Sequence, residues 1–545
     1  LSKAKKHQKP TVPPEVLAKR EQIVELYNKL GGNAAEVARK LGMSRSTVYR
    51  NIKKHVGKIT RKVAGGTIRG IVHKSLKLPA LGTVKRYILT SAQNNTFVHD
   101  AVLNNLLALA GYYEAEILVG TYSYNKNAYG PLAVKRGTEE VKQKEAWYDD
   151  AIEKYIYDGR KELGEGLVWC GEMNIIPTEN NPLSGMATYS GAKSCIFPHA
   201  KMEMDSVATM QGRGTKLMYT TGTVTKRNYI QKKAGLKAEH RHSYGGVLVE
   251  VDSNGHWWVR QLEADENTGR IQDLDVVVEN EQVTTGNRVE AITWGDIHAT
   301  IVDPTVKNLS IGEGGMLDSL RPSYQFIHDL LEGVSVNHHN AKNPHEKFKA
   351  YLRGYDAVTQ ELKDTAECLK EYCRTGVETV VVDSNHDNWF MRWLREHDYR
   401  TDPRNALLFL EAQFEVYKQL EGRNENFNLT RWAMERFNAT KGVKFLLGDD
   451  SFTICNKKVE CGMHGHLGPD GARGTPSNLS KMGCKANTAH THSATITGGL
   501  YVAGTSTNLR MGYNHGPSSW THSHIISYPN GKRTIVTVYA GKWRA

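Results

Sequence analysis

Apolar runs in the C-terminal half of this chain repeatedly end on side chains that can bind a cation. "VEAITW" leads into Gly295, Asp296, Ile297 and His298, "QFIHDLLEG" puts Asp329 behind a second run, and "VETVVVDSNHDNW" sets Asn385, His386 and Asp387 behind a third. "VECGMHGH" then offers His464 after a hairpin strand, and "TAHTHSATITGGLYVAGT" offers His490 and His492. In a strand, residues two apart point to the same side, so Asp296 and His298 can address one cation, as can His490 and His492. A lone D-x-H is common by chance; the weight lies in several strand ends carrying donors in order. Such strand ends lie together in an α/β domain, where ligand loops gather at the carboxyl edge of a sheet.

The chain has 545 residues, 39% apolar and 24% charged, which exceeds one ordinary core and predicts two to four domains. No apolar run approaches the ~20 residues of a membrane span, and Leu1 to Pro14 is Lys-rich without a signal-type apolar stretch, so a cytosolic protein without a membrane partner is expected. The seven cysteines, Cys170, Cys195, Cys368, Cys373, Cys455, Cys461 and Cys484, form no C-x-x-C pair and read as reduced thiols, none a metal ligand.

Net charge is +13, and it is unevenly spread: residues 1–86 hold 21 Lys or Arg against 4 Asp or Glu, leaving 50 against 54 for the rest. A basic head on a near-neutral body fits polyanion binding, because each cation on a phosphate releases condensed counterions; a solvated tail is the bland alternative. Within the head, apolar spacing from Glu15 to Leu30 predicts a helix ended by Gly31 and Gly32. Asn33 can cap a second helix, Gly42 makes a turn, and Ser44 can cap a third carrying Val48 and Ile52. "NAAEVARKLGMSRSTVYRNIKKH" resembles the helix-turn-helix domains of resolvases and bacterial regulators. On such a recognition helix Arg45, Ser46, Thr47 and Arg50 would meet base edges, and Lys53 and Lys54 phosphates. A three-helix bundle for protein contacts is the alternative; residues 1–56 form this module and 57–85 a basic linker.

Residues 86–285 form a central region of unassigned role, α/β at first and then β-rich. Tyr87–Ser91 and Glu116–Thr121 read as strands around a helix at Val98–Ala110, and "SAQNNT" is a polar loop after the first strand, taken as a turn. Beyond Gly166 come hairpins, "DSNG" being the clearest turn. His199, His240, His242 and His256 lack ligand spacing and read as structural or nucleic-acid-facing. No internal repeat is evident.

The ordered set D-x-H, D, N-H-D, H-G and H-x-H over residues 286–545 resembles the calcineurin-like metallophosphoesterase superfamily, including SbcD-type nucleases. The resemblance implies a four-layer α/β/β/α sandwich for this domain in an α/β multidomain chain. It also implies Asp296, His298 and His492 on one metal, Asn385, His464 and His490 on the other, Asp329 bridging both, and His386 unligated. Ser384, Ala489 and His328 depart from the family's pattern, each standing where a Gly is usual, and a helical insertion from Pro344 to Tyr372 makes Asp329 the least secure ligand. His466 is a rival for His464, His522 and His524 are rivals for the final pair, and His338, His339 and His345 are unassigned.

Mixed carboxylate, amide and imidazole donors suit Mn²⁺ best, with Fe²⁺, Zn²⁺ or Mg²⁺ as alternatives. Two cations ~3.5–4 Å apart polarise a phosphate and activate a water; His386 would stabilise the transition state or protonate the leaving oxygen, with Asp387 orienting it. The expected function is a DNA nuclease, and the overall arrangement resembles phage-encoded early proteins, which implies degradation of host DNA. A phosphatase or small-phosphodiester hydrolase and a non-catalytic DNA-binding regulator are the alternatives. Homo-oligomers are frequent among both resembled groups.

Overall fold

The computed structural model describes residues 14–29, 34–44, 47, 48, 51, 73, 74, 76–124, 147–336, 343–511 and 514–545. Two compact units divide the chain: Leu1–Gly70 with Tyr129–Arg136, and Ile71–Ala128 with Gly137–Ala545. No helix among the described residues is long and apolar enough to cross a membrane.

In the first unit the helix Pro14–Lys29 and the helix Ala34–Lys40 enclose a small core of Ile23, Val37, Ala38 and Val48. Gly42, at φ 59°, supplies the turn that a Cβ would disfavour. Ser44 Oγ then accepts the Thr47 N–H at 3.2 Å, the bond that an N-cap makes to the third residue of a helix. Thr47 is half-buried and its hydroxyl lies 2.8 Å from Ser44 Oγ. Asn33, Arg45, Ser46, Arg50, Lys53 and Lys54 lie outside the described residues.

The second unit is built on two large β-layers. A six-stranded sheet runs Val443–Phe445, Glu378–Val381, Tyr324–Ile327, Ala291–Thr293, Ser523–Ser527, Arg533–Thr537. Its first four strands are parallel, so their carboxyl ends share one edge, and the last two are antiparallel. Helices bury one face: Val358–Tyr372, whose Val358, Leu362, Ala366 and Leu369 recur at helical spacing, packs with Trp389, Phe390 and Trp393 over Ile292, Ile327 and Val381. The other face, through Ala291, Phe326, Val380 and Val382, meets Ile454, Val459 and Cys461 of an eleven-stranded sheet. On the far side of that sheet, Leu500 and Val502 are covered by Leu479 of the short helix Pro476–Leu479.

The eleven-stranded sheet crosses the expected boundary at residue 285. Strands from residues 160–220 occupy one half and strands from 453–502 the other, joined where Met204 pairs antiparallel with Ile496. The expected linker contributes too: His73–Lys74 pairs in parallel with Arg160–Lys161.

The two halves repeat one another, which corrects the expectation that the chain has no internal repeat. From the outer edge inward, Arg160–Gly164, Leu167–Cys170, Ser194–Phe197, Lys216–Thr220 and Met204–Val207 pair antiparallel, parallel, parallel, antiparallel. Thr453–Ile454, Val459–Glu460, Lys485–Thr488, Leu500–Val502 and Thr495–Thr497 do the same in the same chain order. The second layer repeats as well. A four-stranded sheet Glu116–Tyr122, Lys85–Gln93, Gly245–Val251, Trp257–Glu263 has the directions of Tyr324–Ile327, Ala291–Thr293, Ser523–Ser527, Arg533–Thr537.

Hydrogen bonds fix the correspondence residue by residue. The Ser91 carbonyl accepts Val224 N–H at 3.0 Å and Thr223 Oγ1 at 2.8 Å; the Asp296 carbonyl accepts Ser506 N–H at 2.8 Å and Thr505 Oγ1 at 3.1 Å. Asn94 N–H donates to the Tyr122 carbonyl at 3.2 Å, as Ala299 N–H does to that of Leu330 at 3.1 Å. The strands Trp257–Glu263 and Arg533–Thr537 meet at the junction, where Gln261 Oε1 accepts Ile535 N–H at 2.8 Å.

Candidate metal centre

Three parallel strands of the six-stranded sheet and two of the eleven-stranded sheet deliver the donors, and several of the loops behind them are held in conformations that non-glycine residues seldom adopt. His298, Asp329, His490 and His492 have φ of 44°, 47°, 73° and 57°. Outliers of this kind persist where the surrounding structure over-determines them, and they cluster at functional sites. Close backbone crossing contributes: Asp296 bridges Thr505, and a Cβ on Gly295 would lie 2.8 Å from the Gly504 carbonyl carbon.

Asp296, His298, Asp329 and His492 are all buried, with one donor atom of each within 4.8 Å of the others. His492 Nε2 is 3.0 Å from Asp296 Oδ2 and 3.2 Å from His298 Nε2, which lies 3.4 Å from Asp329 Oδ2. On the other side of Asp329, its Oδ1 is 3.2 Å from His464 Nε2, itself 3.1 Å from Asn385 Oδ1. Asp329, the least secure ligand on sequence, thus stands between the two sets. The second set is looser: the His490 ring centre is 5.1 Å from that of His464, while its backbone N–H donates to Asp296 Oδ1 at 3.3 Å.

The rivals occupy other places. His466 borders the second set, its ring centre 5.4 Å from that of His464. His522 Nε2 lies 2.7 Å from the Thr507 carbonyl, and His524 Nδ1 accepts Gly295 N–H at 3.0 Å, a role in holding the loop. His328 is buried with Nδ1 3.4 Å from His464 Nδ1, and burial pushes its pKa down to about 3. Of the unassigned histidines, His338 and His339 lie outside the described residues.

Glu332 was missed on sequence. It is buried, and its Oε2 is 2.5 Å from His298 Nδ1 and 3.4 Å from His386 Nδ1; His386 Nδ1 is also 3.2 Å from the Glu332 carbonyl. Asp387, expected to orient His386, accepts Leu331 N–H at 2.9 Å on one oxygen and Ser384 Oγ at 2.9 Å on the other. Its carboxylate therefore braces the loop, and Glu332 faces the two imidazoles. Burial pushes the Asp387 carboxyl up to about 7. Burial would lower His298, but Glu332, Asp329 and Asp296 together outweigh it and the imidazole rises to about 9.

The donor set fits divalent cations. Asp296 Oδ2 and Asp329 Oδ1 are buried and receive no hydrogen bond, although buried carboxylate oxygens are normally satisfied. Asp329 is held well below the usual carboxylate range: burial works against the charge, and His464, His386 and His298 outweigh it. Charged, unsatisfied carboxylate oxygens among neutral-capable imidazoles form a mixed O/N ligand field of the kind that Mn²⁺, Fe²⁺ or Zn²⁺ accept. The structure assigns neither the number nor the identity of the ions.

In the N-terminal repeat most of these donors are replaced. Ser91 stands at the place of Asp296, Gln93 at that of His298 and Thr121 at that of Asp329. Gly171, Glu172 and Met173 follow the strand Leu167–Cys170 where His464 follows its counterpart. Ile156 pairs with Val119, but the chain then passes directly into the strand Arg160–Gly164, so the described residues hold no equivalent of Asn385 and His386.

Comparison with known proteins agrees with the two-unit organisation. Residues 14–58 match the homeodomain-like domain family. No solved structure matches the chain. Protein A1 of Escherichia phage T5 is 38% identical over 492 residues, covering 87% of this chain and 86% of that protein. At that identity and coverage, this chain belongs to the family of phage T5 Protein A1.

Proposed function

We propose that the chain is a metal-dependent phosphodiesterase that cleaves DNA, with a dinuclear centre and a sandwich domain of the calcineurin-like kind. The observation that carries this reading is the buried convergence of Asp296, His298, Asp329 and His492 within 4.8 Å, with His464 and Asn385 on the far side of Asp329. Asp296, His298 and His492 would hold one ion, Asn385, His464 and His490 the other, and Asp329 both. When bound, two divalent ions supply charge neutralisation at phosphorus and a nucleophile at neutral pH.

The remaining roles belong to the protein. His386 is partly open to solvent, 27% exposed at its side chain, and turns Nδ1 to Glu332. A hydrogen bond there keeps the proton on Nδ1 in the neutral ring and leaves Nε2 for the reacting groups; with both nitrogens protonated, it delivers a proton to the leaving oxygen. Glu332 positions His298 and His386 together. Trp520 packs on His492, ring centres 4.2 Å apart, and shields that side from water. The basic head, by its homeodomain-like match, brings DNA to the centre, and membership in a phage family favours host DNA as the target.

The test is hydrolysis of linear duplex DNA, single strands and bis(p-nitrophenyl) phosphate with Mn²⁺. Asp296→Ala and His386→Ala should abolish cleavage of all three. Undiminished DNA cleavage by both variants would remove the reading.

A further inference from the structure

The N-terminal repeat keeps a cleft at the end of its sheets that matches the metal centre of the other repeat. Counting on from the paired strands, Phe197 corresponds to Thr488, so His199 falls at the place of His490 and Lys201 at that of His492. Both line a cleft of about 170 Å³, together with Glu179, Tyr229, Lys237 and Arg241. That is room for several waters, and so for an orthophosphate.

Its chemistry has been inverted relative to the other repeat. The two carboxylate positions have become Ser91 and Thr121, whose hydroxyls donate to the Gly222 carbonyl and to Asp158 away from the cleft, and an imidazole position has become the Lys201 ammonium. Lys201 is 7% exposed; its Nζ pairs with Glu203 and donates to the Asn180 carbonyl at 2.7 Å. Arg241 is tethered through Nη1 to Asn180 Oδ1, which leaves its other nitrogens, and Lys237 is exposed at the rim. Against these three cations stand two carboxylates, Glu179 on the wall and Glu203 paired with Lys201. His199 Nδ1 accepts Lys201 N–H at 3.0 Å and its Nε2 lies 3.3 Å from the Ile176 carbonyl, so the neutral ring is held with its proton on Nε2 and orients the wall behind Lys201. The balance is cationic, and the donors of Lys237 and Arg241 suit an oxyanion.

We propose that the cleft of the N-terminal repeat is a metal-independent binding site for a phosphate group carried by a deoxynucleotide. The ligand is either a free mononucleotide or one phosphate of a strand. The site rests on the internal repeat; only the choice of a deoxynucleotide as carrier rests on the DNA-cleaving reading.

The test uses the full chain in EDTA, where the Asp296 centre holds no ion, titrated calorimetrically with inorganic phosphate, a deoxynucleoside 5′-monophosphate and a short single-stranded oligonucleotide. K237A/R241A removes two exposed or half-exposed cations outside the metal centre, so its fold and its Mn²⁺-dependent hydrolysis of bis(p-nitrophenyl) phosphate should be unchanged. Saturable binding of at least one phosphate-bearing probe, weakened about tenfold or more in the variant, is the expected result. If the monophosphate shows the loss, the carrier is a free nucleotide; if only the oligonucleotide shows it, the carrier is a strand. Equal affinity of wild type and variant for every probe overturns the proposal, as does the absence of any saturable binding. Loss of diester hydrolysis in Asp296→Ala with phosphate binding intact keeps the two sites distinguishable.

Discussion

The Glu332 carboxylate lies 2.5 Å from Nδ1 of His298. Carboxylates behind ligating histidines set ring orientation and basicity, and their loss typically costs 10–100-fold in metal affinity or activity. Glu332→Gln should therefore raise the Mn²⁺ concentration for half-maximal activity by about that factor. Because Glu332 also faces His386, kcat should remain depressed at saturating Mn²⁺ and its pH profile should shift. An unchanged metal titration and profile would assign Glu332 to packing alone.

His464 and His466 are near neighbours with different contacts. His464 touches Asp329 and Asn385, whereas His466 only borders the cluster. His464→Ala should reduce hydrolysis by about 100-fold or more, and His466→Ala by less than about tenfold, effects that steady-state kinetics on a small diester would separate. The reverse order would exchange their roles.

Stripping the metal should lower thermal stability as well as activity, because Asp296 and Asp329 then face each other buried and without a cation. Mn²⁺ at about 100 times its dissociation constant should restore about 2.7 kcal/mol. A melting temperature that does not respond to Mn²⁺ in wild type would count against the centre, and Asp296→Asn should flatten the response.

Arg260 is fully buried in the N-terminal repeat, bound at 2.7 and 2.9 Å to the two oxygens of Asp273 and at 2.6 Å to Glu250. Burial would raise the Glu250 carboxyl, but Arg260 and Arg86 outweigh it and hold it below its ordinary value. A depressed folded-state pKa contributes stability above the unfolded value of about 4.3, lost as pH falls through the folded one. Wild type should thus lose stability below about pH 4.3 in urea titrations. Arg260→Met should be destabilised by about 3–5 kcal/mol at neutral pH, with less further loss on acidification.

Removing residues 1–56 should weaken DNA binding and flatten its dependence on salt, since 13 Lys or Arg against 4 Asp or Glu lie there. Hydrolysis of a small diester should persist. Binding isotherms at several salt concentrations would check the first expectation and a chromogenic assay the second.

The strands were legible wherever the apolar pattern was strong: Tyr87–Ser91 lies within Lys85–Gln93, and Glu116–Thr121 within Glu116–Tyr122. Asp296, His298, Asp329 and His492 were legible because each follows a strand run, and the strand ends of two packed sheets converge at one edge whatever lies between them in the chain. Glu332 was not, because it sits in the loop behind Asp329, outside the donor pattern, and only the fold turns it toward His298. The repeat escaped notice because sheet topology depends on apolar periodicity and turn positions, which tolerate almost complete replacement of side chains. Two cues survived the divergence: Thr223 and Thr225 match Thr505 and Thr507, and the hairpins carry Asn254-Gly255 and Asn530-Gly531 with glycine φ of 84° and 81°.

The antiparallel junction at Met204 and Ile496 means that either half, expressed alone, would end its long sheet on bare backbone donors and acceptors. Covalent linkage gives each half a fixed mate at every dilution, so the closed β-layer does not depend on protein concentration as a true dimer's would. The N-terminal half thus serves the long sheet as a partner even where its side chains no longer match those of the other half.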